Sequence, residues 1–179
     1  MGNDQATVLA FGGKTPDIHP SVFIADGARI IGDVTIGERS SIWYNAVVRG
    51  DVHRVRIGRA VNVQDNAILH VTHDTAPLDI DSDVTIGHGA IVHGCTVEEG
   101  CLLGMGSIIL DGAIIGRGSL IAAGSVVLQR TEIPEGVLVA GNPAVVKREL
   151  SEDERTGLRE SAKKYSLYAE KTLLTYVER

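Results

Sequence analysis

Residues 97–127 read VEEGCLLGMGSIILDGAIIGRGSLIAAGSVV, and an aliphatic residue returns at every sixth position of this stretch. The recurring residues are Val97, Leu103, Ile109, Ile115, Ile121 and Val127. An amphipathic helix has an apolar period near 3.6 and an ordinary strand alternates with period 2, so neither explains the pattern. A period of six is typical of short strands separated by tight turns, three of which make one coil of about 18 residues. The stretch therefore predicts a parallel β-solenoid.

The same period extends towards both ends of the chain. It starts at Ile18, resumes at Ile57 after three extra residues, and resumes at Ile80 after a longer insertion. The six that begins at Val92 is one residue short. Twenty sixes predict nearly seven coils over about residues 11–147, with the aliphatic residues filling the interior.

The fifth place of most sixes holds a small or β-branched residue, which suits the corners of a triangular prism. These residues are Ala28, Val34, Ser40, Ala46, Val61, Ala67, Val84, Ala90, Thr96, Cys101, Ser107, Ala113, Ser119 and Ser125. Cys95 is interpreted as a turn residue beside this column.

A different pattern follows the last six. Ser151 and Glu154 have the spacing of a capping box, in which two side chains satisfy backbone groups at the start of a helix. Apolar residues then recur at helical spacing, at Leu158, Ala162, Tyr165, Ala169, Leu173 and Tyr176. We expect a C-terminal helix over about 151–177 that packs on the solenoid, so that residues 1–179 form a single domain of the all-β class.

Composition excludes several classes of protein. The formal net charge of −6 argues against a nucleic-acid-binding protein, which usually has a basic face. No run approaches the roughly 18 apolar residues of a membrane helix, and no signal peptide is evident. Cys95 and Cys101 are too few for a disulfide scaffold. We expect a cytoplasmic protein that binds neither nucleic acid nor a membrane.

Three histidines fall at positions suited to a metal site. Counting by sixes stacks His93 on His70, with Arg49 one coil earlier in the same outward column, and stacks His88 on Asp65 at a corner. Neighbouring strands lie about 4.8 Å apart, so the first two imidazoles can share an ion with bonds of ~2.0–2.1 Å. His88 lies around a corner from His93, and an extended path of five residues spans up to roughly 16 Å.

A homotrimer resolves this separation. In a closed ring of subunits, His70 and His93 of one subunit would meet His88 of the next, with the metal at the interface. Zinc is the default ion, and Fe2+ or Co2+ suits the same ligands. The competing interpretation is that all three are ordinary surface residues, which is what we expect of His19 and His53.

His73 lies in the insertion that follows Leu69. An imidazole there could pass protons to solvent, and a loop residue without any special role would give the same sequence.

Several motifs of the chain resemble those of the gamma-class carbonic anhydrase family of left-handed β-helix trimers. They are GDVTIG, SSIWYNAVVRGD, NVQDNAILH, VTIGHGAIVHGC, LGMGSIILDGAIIG, IAAGSVV and GNPA, and together they cover about residues 11–147. The resemblance implies a left-handed solenoid, and a lyase that reversibly hydrates CO2 to bicarbonate by a metal-bound hydroxide. It also implies that the zinc ligands are His70, His88 and His93.

The resemblance assigns further roles. Gln64, together with Asn62, would act beside the solvent molecule on the metal, and Asp65 would support the subunit contacts. Arg49 and Asp51 of the RGD motif would help to join subunits, and a purely structural salt bridge is an equally good interpretation of this pair.

Two features differ from the best-known archaeal members of that family. Val52 stands where they have a glutamate, and the loop VTHDTAPLD is short and carries few acidic residues, as in shorter bacterial members. Both differences bear on proton export and therefore on the rate of catalysis. Two alternatives stay open, a hexapeptide-repeat acyltransferase that uses acyl-CoA and a non-catalytic trimer in which the metal only joins the subunits.

Overall fold

The computed structural model describes residues 6–177, and the side chains of residues 6–174. The strands of this range are, in chain order, β1 (Thr7–Leu9), β2 (Asp17–Ile18), β3 (Phe23–Ile24), β4 (Arg29–Ile36), β5 (Ser41–Ile42), β6 (Val47–Ile57), β7 (Asn62–Val63), β8 (Ile68–His70), β9 (Leu78–Ile80), β10 (Thr85–Ile86), β11 (Ile91–His93), β12 (Thr96–Val97), β13 (Leu102–Leu103), β14 (Ile108–Ile109), β15 (Ile114–Ile115), β16 (Leu120–Ile121), β17 (Val126–Val127), β18 (Glu132–Ile133), β19 (Val137–Gly141) and β20 (Ala144–Glu149). The helix is α1 (Glu152–Val177).

The strands wind around one axis and form three faces. On the first face, β8, β11, β14 and β17 stack in that order on the first half of β6. On the second face, β9, β12, β15 and β18 stack on the second half of β6. The third face runs from β3 through β5, β7, β10, β13 and β16 to β19, where β20 adds antiparallel. The chain is a left-handed parallel β-helix of about seven turns with a C-terminal helix, as predicted.

The six-residue period forms the interior of the solenoid. Every residue of the predicted aliphatic column from Ile30 to Val139 is at most 5% exposed. Ile18 and Ile24, in the first coil, are only partly buried. Burial of apolar surface along this column is the main stabilising contribution to the fold, at about 25 cal/mol per Å².

The prediction for one corner position is wrong. Thr96 is exposed, whereas Cys95 is 2% exposed and belongs to the core cluster. The six that begins at Val92 has only five residues, so its inward corner position falls on Cys95, two residues before Val97. Burial raises the pKa of the Cys95 thiol, and the residue is a small protonated core side chain rather than a turn residue.

The start of α1 is capped as the sequence predicts. The backbone N–H of Glu154 donates to Oγ of Ser151 at 3.2 Å, and the N–H of Ser151 donates to Oε2 of Glu154 at 2.9 Å. Arg148 also donates two hydrogen bonds to the Glu154 carboxylate. The bond from Arg148, assisted by the cap, lowers the pKa of Glu154 to about 2. The helix therefore begins at a fixed point beside β20.

The apolar side of α1 packs on the third face, against β3, β5, β7 and β10. Leu158, Ala162 and Ala169 are buried there. Tyr165 packs edge-on against Trp43, with ring centroids 5.7 Å apart. In residues 6–177 no helix is long and apolar enough to cross a membrane.

The predicted apolar stripe of the helix ends earlier than expected. Leu173 is 40% exposed, although it has the same spacing as the buried residues before it. Ala169 already packs with Phe23 and Ala25 of the first complete coil, so the next helical turn extends past the solenoid. The side chain of Tyr176 lies outside the described residues.

Truncation of an interior residue tests the role of the aliphatic column. We expect Leu103→Ala to lower the free energy of unfolding by about 2–5 kcal/mol, because it leaves a cavity in a closely packed core. Urea unfolding at a fixed protein concentration measures the change. Leu167→Ala, on the outer side of α1 where the leucine is 55% exposed, is the matched control and should change it by about 0.5 kcal/mol or less. Equal effects would contradict the assignment.

Candidate metal centre

His70 and His93 lie side by side on the first face, as predicted. They are Cα partners in the parallel pairing of β8 with β11, and Leu69 and Val92 are the corresponding partners in the interior. The two ring centroids are 5.0 Å apart, and Nδ1 of His70 lies 3.0 Å from Nε2 of His93.

Each of these imidazoles uses its other nitrogen on a carboxylate. His70 Nε2 donates to Oδ1 of Asp51 at 3.0 Å, and His93 Nδ1 donates to Oδ1 of Asp111 at 2.5 Å. With those protons placed, the two nitrogens that face each other carry only lone pairs, which repel unless a cation or a proton joins them. Nitrogens bound tetrahedrally to one zinc ion at ~2.0–2.1 Å are about 3.3 Å apart. The donor pair therefore fits a metal ion.

The ionisation states of Asp51 and His70 favour metal binding. Burial opposes the charge on Asp51, but the hydrogen bonds from His70 and Arg49 outweigh it and hold the pKa of this carboxyl below its usual range. Burial lowers the pKa of His70, and the positive charge of Arg49 lowers it further. The hydrogen bond to Asp51 acts in the opposite direction but does not outweigh them. His70 is thus a neutral imidazole beside an ionised carboxylate, the state that a metal requires.

His88 lies at the corner between the third face and the first. Its Nδ1–H donates a hydrogen bond to Oδ2 of Asp65 at 2.7 Å, which leaves the lone pair of Nε2 available to bind a metal ion. The N–H of Gly89 donates to the carbonyl of Asp65 at 2.9 Å, so the two residues occupy successive coils, as the count by sixes predicts. The His88 side chain is 46% exposed and therefore accessible to another molecule.

His88 is not joined to the other two histidines within one chain. In the described part of the chain no three His, Cys, Asp or Glu side chains lie close enough together to hold a metal ion. The chain alone thus offers a pair of donors on one face and a single donor at a corner.

Gln64 and Asn62 form a buried polar chain next to that corner. Gln64 Nε2 donates to Oδ1 of Asn62 at 3.1 Å, and Asn62 Nδ2 donates to Oγ1 of Thr85 at 2.9 Å. Both amides are at most 5% exposed, so their orientation is fixed by these bonds. Since Nε2 of Gln64 is committed to Asn62, its Oε1 is the atom left to accept a hydrogen bond.

The remaining predicted residues have different surroundings. Arg49 donates to the Asp51 carboxylate of its own chain, so this pair steadies the partner of His70. His73 lies on the loop after β8 with its side chain 73% exposed, and its Nδ1 is 3.1 Å from a carboxylate oxygen of Asp74. This position is a solvent-facing one.

Sequence reasoning missed Asp111 and Thr72. Val92 pairs with Ile109, so Asp111 lies level with Gly94, one residue beyond His93 and one coil further on. Counting one coil forward from His93 reaches Leu110, so the period places Asp111 one residue beyond that position. Thr72 has no such signal, because it belongs to an insertion that the period does not describe.

The solenoid places the chain among hexapeptide-repeat proteins. Residues 15–50 and 94–129 match the bacterial transferase hexapeptide family (six repeats), and residues 77–110 match the hexapeptide repeat of succinyl-transferase. The crystal structure of a Bacillus cereus protein, named as a candidate acetyltransferase, has a TM-score of 0.92 and 45% identity, and covers 94% of this chain and 97% of its own. An N-acyltransferase of Bacillus cereus, AntD, has 15% identity and a TM-score of 0.62, a likeness that shows the fold alone.

The curated relatives define the family more narrowly. A probable carbonic anhydrase of Methanocaldococcus jannaschii is 53% identical, over 89% of this chain and 99% of that protein, and a carbonic anhydrase of Geobacillus kaustophilus is 49% identical over 92% and 88%. Gamma carbonic anhydrase 2 of Arabidopsis thaliana mitochondria is 43% identical, over 85% of this chain. The chain belongs to the gamma-class carbonic anhydrase family. It spans 56% and 59% of the length of two mitochondrial relatives. Membership implies a metal cofactor.

Removal of the carboxylate beside His88 tests the corner donor. We expect Asp65→Ala to weaken zinc binding by about 10–100-fold, because His88 loses the acceptor that fixes its ring and its free nitrogen. Competition with a chromophoric chelator measures the affinity. Asp26→Ala, at the same corner position two coils earlier, should leave it unchanged. Unchanged affinity in Asp65→Ala would contradict this role of the carboxylate.

Proposed function

We propose that this protein is a gamma-class carbonic anhydrase, a lyase that interconverts CO2 and bicarbonate with a metal held by His70 and His93 of one subunit and His88 of the next. One observation supports it most directly. All three imidazoles donate one N–H to a carboxylate, from Asp51, Asp111 or Asp65, and keep the other nitrogen bare. A carboxylate on the far nitrogen is the usual second partner of a metal-binding histidine.

Three neutral imidazoles suit zinc, and they also suit Fe2+ or Co2+. When bound, the ion would lower the pKa of a water molecule, so that hydroxide, the nucleophile that attacks CO2, is available near neutral pH. The chain's own part is to hold the three imidazoles at fixed orientations through the carboxylates of Asp51, Asp111 and Asp65.

Gln64 is the residue best placed to act on the small molecule at this site. It lies one residue before Asp65, the partner of His88, and Asn62 fixes the direction of its amide. We assign Gln64 to orient the attacking water or the bicarbonate product through Oε1, and Asn62 to position Gln64. The exposed imidazole of His73 is suited to release the proton to solvent.

The surface around the histidine pair supports a homotrimer. The outward residues of the first face and its neighbouring corner include Ile68 at 43%, Leu128 at 49% and Met105 at 58% exposure. Large apolar side chains grouped on one face favour association with another protein surface. A second copy of the chain, which brings His88, completes the metal site.

Two rival functions predict different results. The acyltransferase alternative needs one basic histidine and does not account for three imidazoles that each face a carboxylate. The metal-joined, non-catalytic trimer is favoured by Val52 and the short loop between Val71 and Pro77, which carries only Asp74 as an acid. An acetyl-CoA assay with a thiol readout tests for the acyltransferase. Stopped-flow CO2 hydration by the metal-loaded protein distinguishes a carbonic anhydrase from the non-catalytic trimer.

The setting that we propose is the cytoplasm. Cys95 and Cys101 are both free and buried, and burial raises the pKa of the Cys101 thiol to about 12. Such thiols are stable under reducing conditions.

Replacement of one histidine of the pair tests the proposal as a whole. The wild-type protein should carry about one metal ion per chain in a particle with the mass of three chains, and should hydrate CO2. We expect His93→Ala to lose both the metal and the activity. His19→Ala, which removes an exposed histidine far from the pair, should keep both. Metal retention in His93→Ala, by elemental analysis, would refute the site, and a wild-type rate no higher than that of the buffer would refute the enzyme.

Replacement of the corner amide tests the catalytic assignment. We expect Gln64→Ala to lower kcat on the order of 10²-fold, since it removes an oriented hydrogen-bonding group from the reacting molecules. The metal content should stay at the wild-type level, because Gln64 is not a ligand. Stopped-flow kinetics and elemental analysis on the same preparation measure both quantities. A fall in metal content equal to the fall in kcat would assign Gln64 a structural role instead.

A further inference from the structure

The carboxylate of Asp111 joins a proposed metal ligand to a loop. Its Oδ1 accepts the N–H of His93 at 2.5 Å, and its Oδ2 accepts the hydroxyl of Thr72 at 2.6 Å. Burial opposes its ionisation, but the bonds from Thr72 and His93 outweigh this and lower the pKa of Asp111. Both oxygens of an ionised carboxylate are thus engaged, one by the ligand and one by the loop.

The loop concerned comprises residues 71–77, between β8 and β9. It is closed on itself by a bridge in which the N–H of Thr72 donates to the carbonyl of Ala76 at 3.1 Å. Val71 and Ala76 anchor it, with exposures of 1% and 7%. The same loop follows directly from His70, and the hydroxyl of Thr72 reaches the carboxylate that accepts the N–H of His93.

The loop sits tightly against the strand of His93. Gly94 has a φ of +51°, and a Cβ added there would lie 2.7 Å from Cβ of Ala76 and 2.6 Å from Oδ1 of Asp111. No side chain fits between the loop, the carboxylate and the strand at this point. A shift of the loop towards the strand would therefore displace the Asp111 carboxylate, the acceptor of His93.

We propose that Thr72 and Asp111 are positioning residues of the metal site, and that they couple the conformation of loop 71–77 to metal affinity through the orientation of His93. This inference rests on the proposed function, because it takes His93 as a ligand. Asp111 fixes the tautomer that leaves Nε2 bare, and Thr72 fixes the rotation of the carboxylate. Metal binding should in turn hold the loop in place, since coupling between two sites is reciprocal.

Isosteric substitution of the threonine tests the coupling. We expect Thr72→Val, which removes the hydroxyl and keeps the branched shape, to weaken zinc binding by about 10-fold, at the low end of the effect of a ligand's hydrogen-bond partner. Thr72→Ser restores the hydroxyl and should restore the affinity. Thr75→Val, at an exposed threonine of the same loop, is the matched control and should bind zinc as the wild type does.

Two further measurements separate positioning from a loss of structure. Asp111→Asn should weaken zinc binding by about 10–100-fold, because an amide has one acceptor oxygen for two donors. Nitrogen NMR of the metal-free protein should show the Nδ1–H tautomer of His93 in the wild type and a mixture of tautomers in Thr72→Val. Zinc should slow amide hydrogen exchange in residues 71–77 of the wild type, and less so in Thr72→Val.

The outcomes distinguish this inference from the proposed function. Wild-type zinc affinity in Thr72→Val, or equal losses in Thr72→Val and Thr75→Val, would overturn the coupling. If His93→Ala loses zinc while both Thr72→Val and Asp111→Asn keep it, the metal site stands and the positioning role fails. If His93→Ala keeps zinc, the proposed function fails first.

Discussion

Each coil of the solenoid must place its aliphatic side chains directly over those of the preceding coil, and this constraint positions the histidines. Leu69 and Val92 meet in the interior, so His70 and His93, one residue further along each strand, meet outside. A slip of one residue would bury two imidazoles and expose two aliphatic side chains. The free energy that holds the core in register therefore also holds the two donor nitrogens together, and the site needs no separate scaffold.

The site is assembled as two incomplete parts on different faces. The first face carries two imidazoles with their carboxylates, and the corner carries His88 with Asp65 and the nearby Gln64. Neither part alone has enough donors for a tightly held ion. In the proposed trimer, occupancy of the metal site and association of the subunits are linked, because each favours the other. The second face carries charged groups, among them the ion pair of Arg54 with Asp79.

The sequence predicts the coils because their period is regular, and it fails where regularity ends. Thr96 and Cys95 exchanged roles because one six is short. Leu173 is exposed because the helix is longer than the surface it packs on. Thr72 was missed because it lies in an insertion, whose path depends on tertiary packing rather than on any repeat, whereas the position of Asp111 follows from the period. The positions of the two stacked histidines follow from the six-residue period, whereas the positions of the carboxylates that orient them do not all follow from it.

All departures from the six-residue period fall at one corner. The three residues added after the strand of Arg49, the loop after His70 and the residue missing after His93 all lie where the chain turns from the first face to the second. The other two corners keep the same length from the second coil onwards. One edge of the prism is thus free to lengthen or shorten over evolutionary time without disturbing the core, and the histidine pair borders it. Relatives of this chain can therefore diversify the rim of the site while they inherit an unchanged interior.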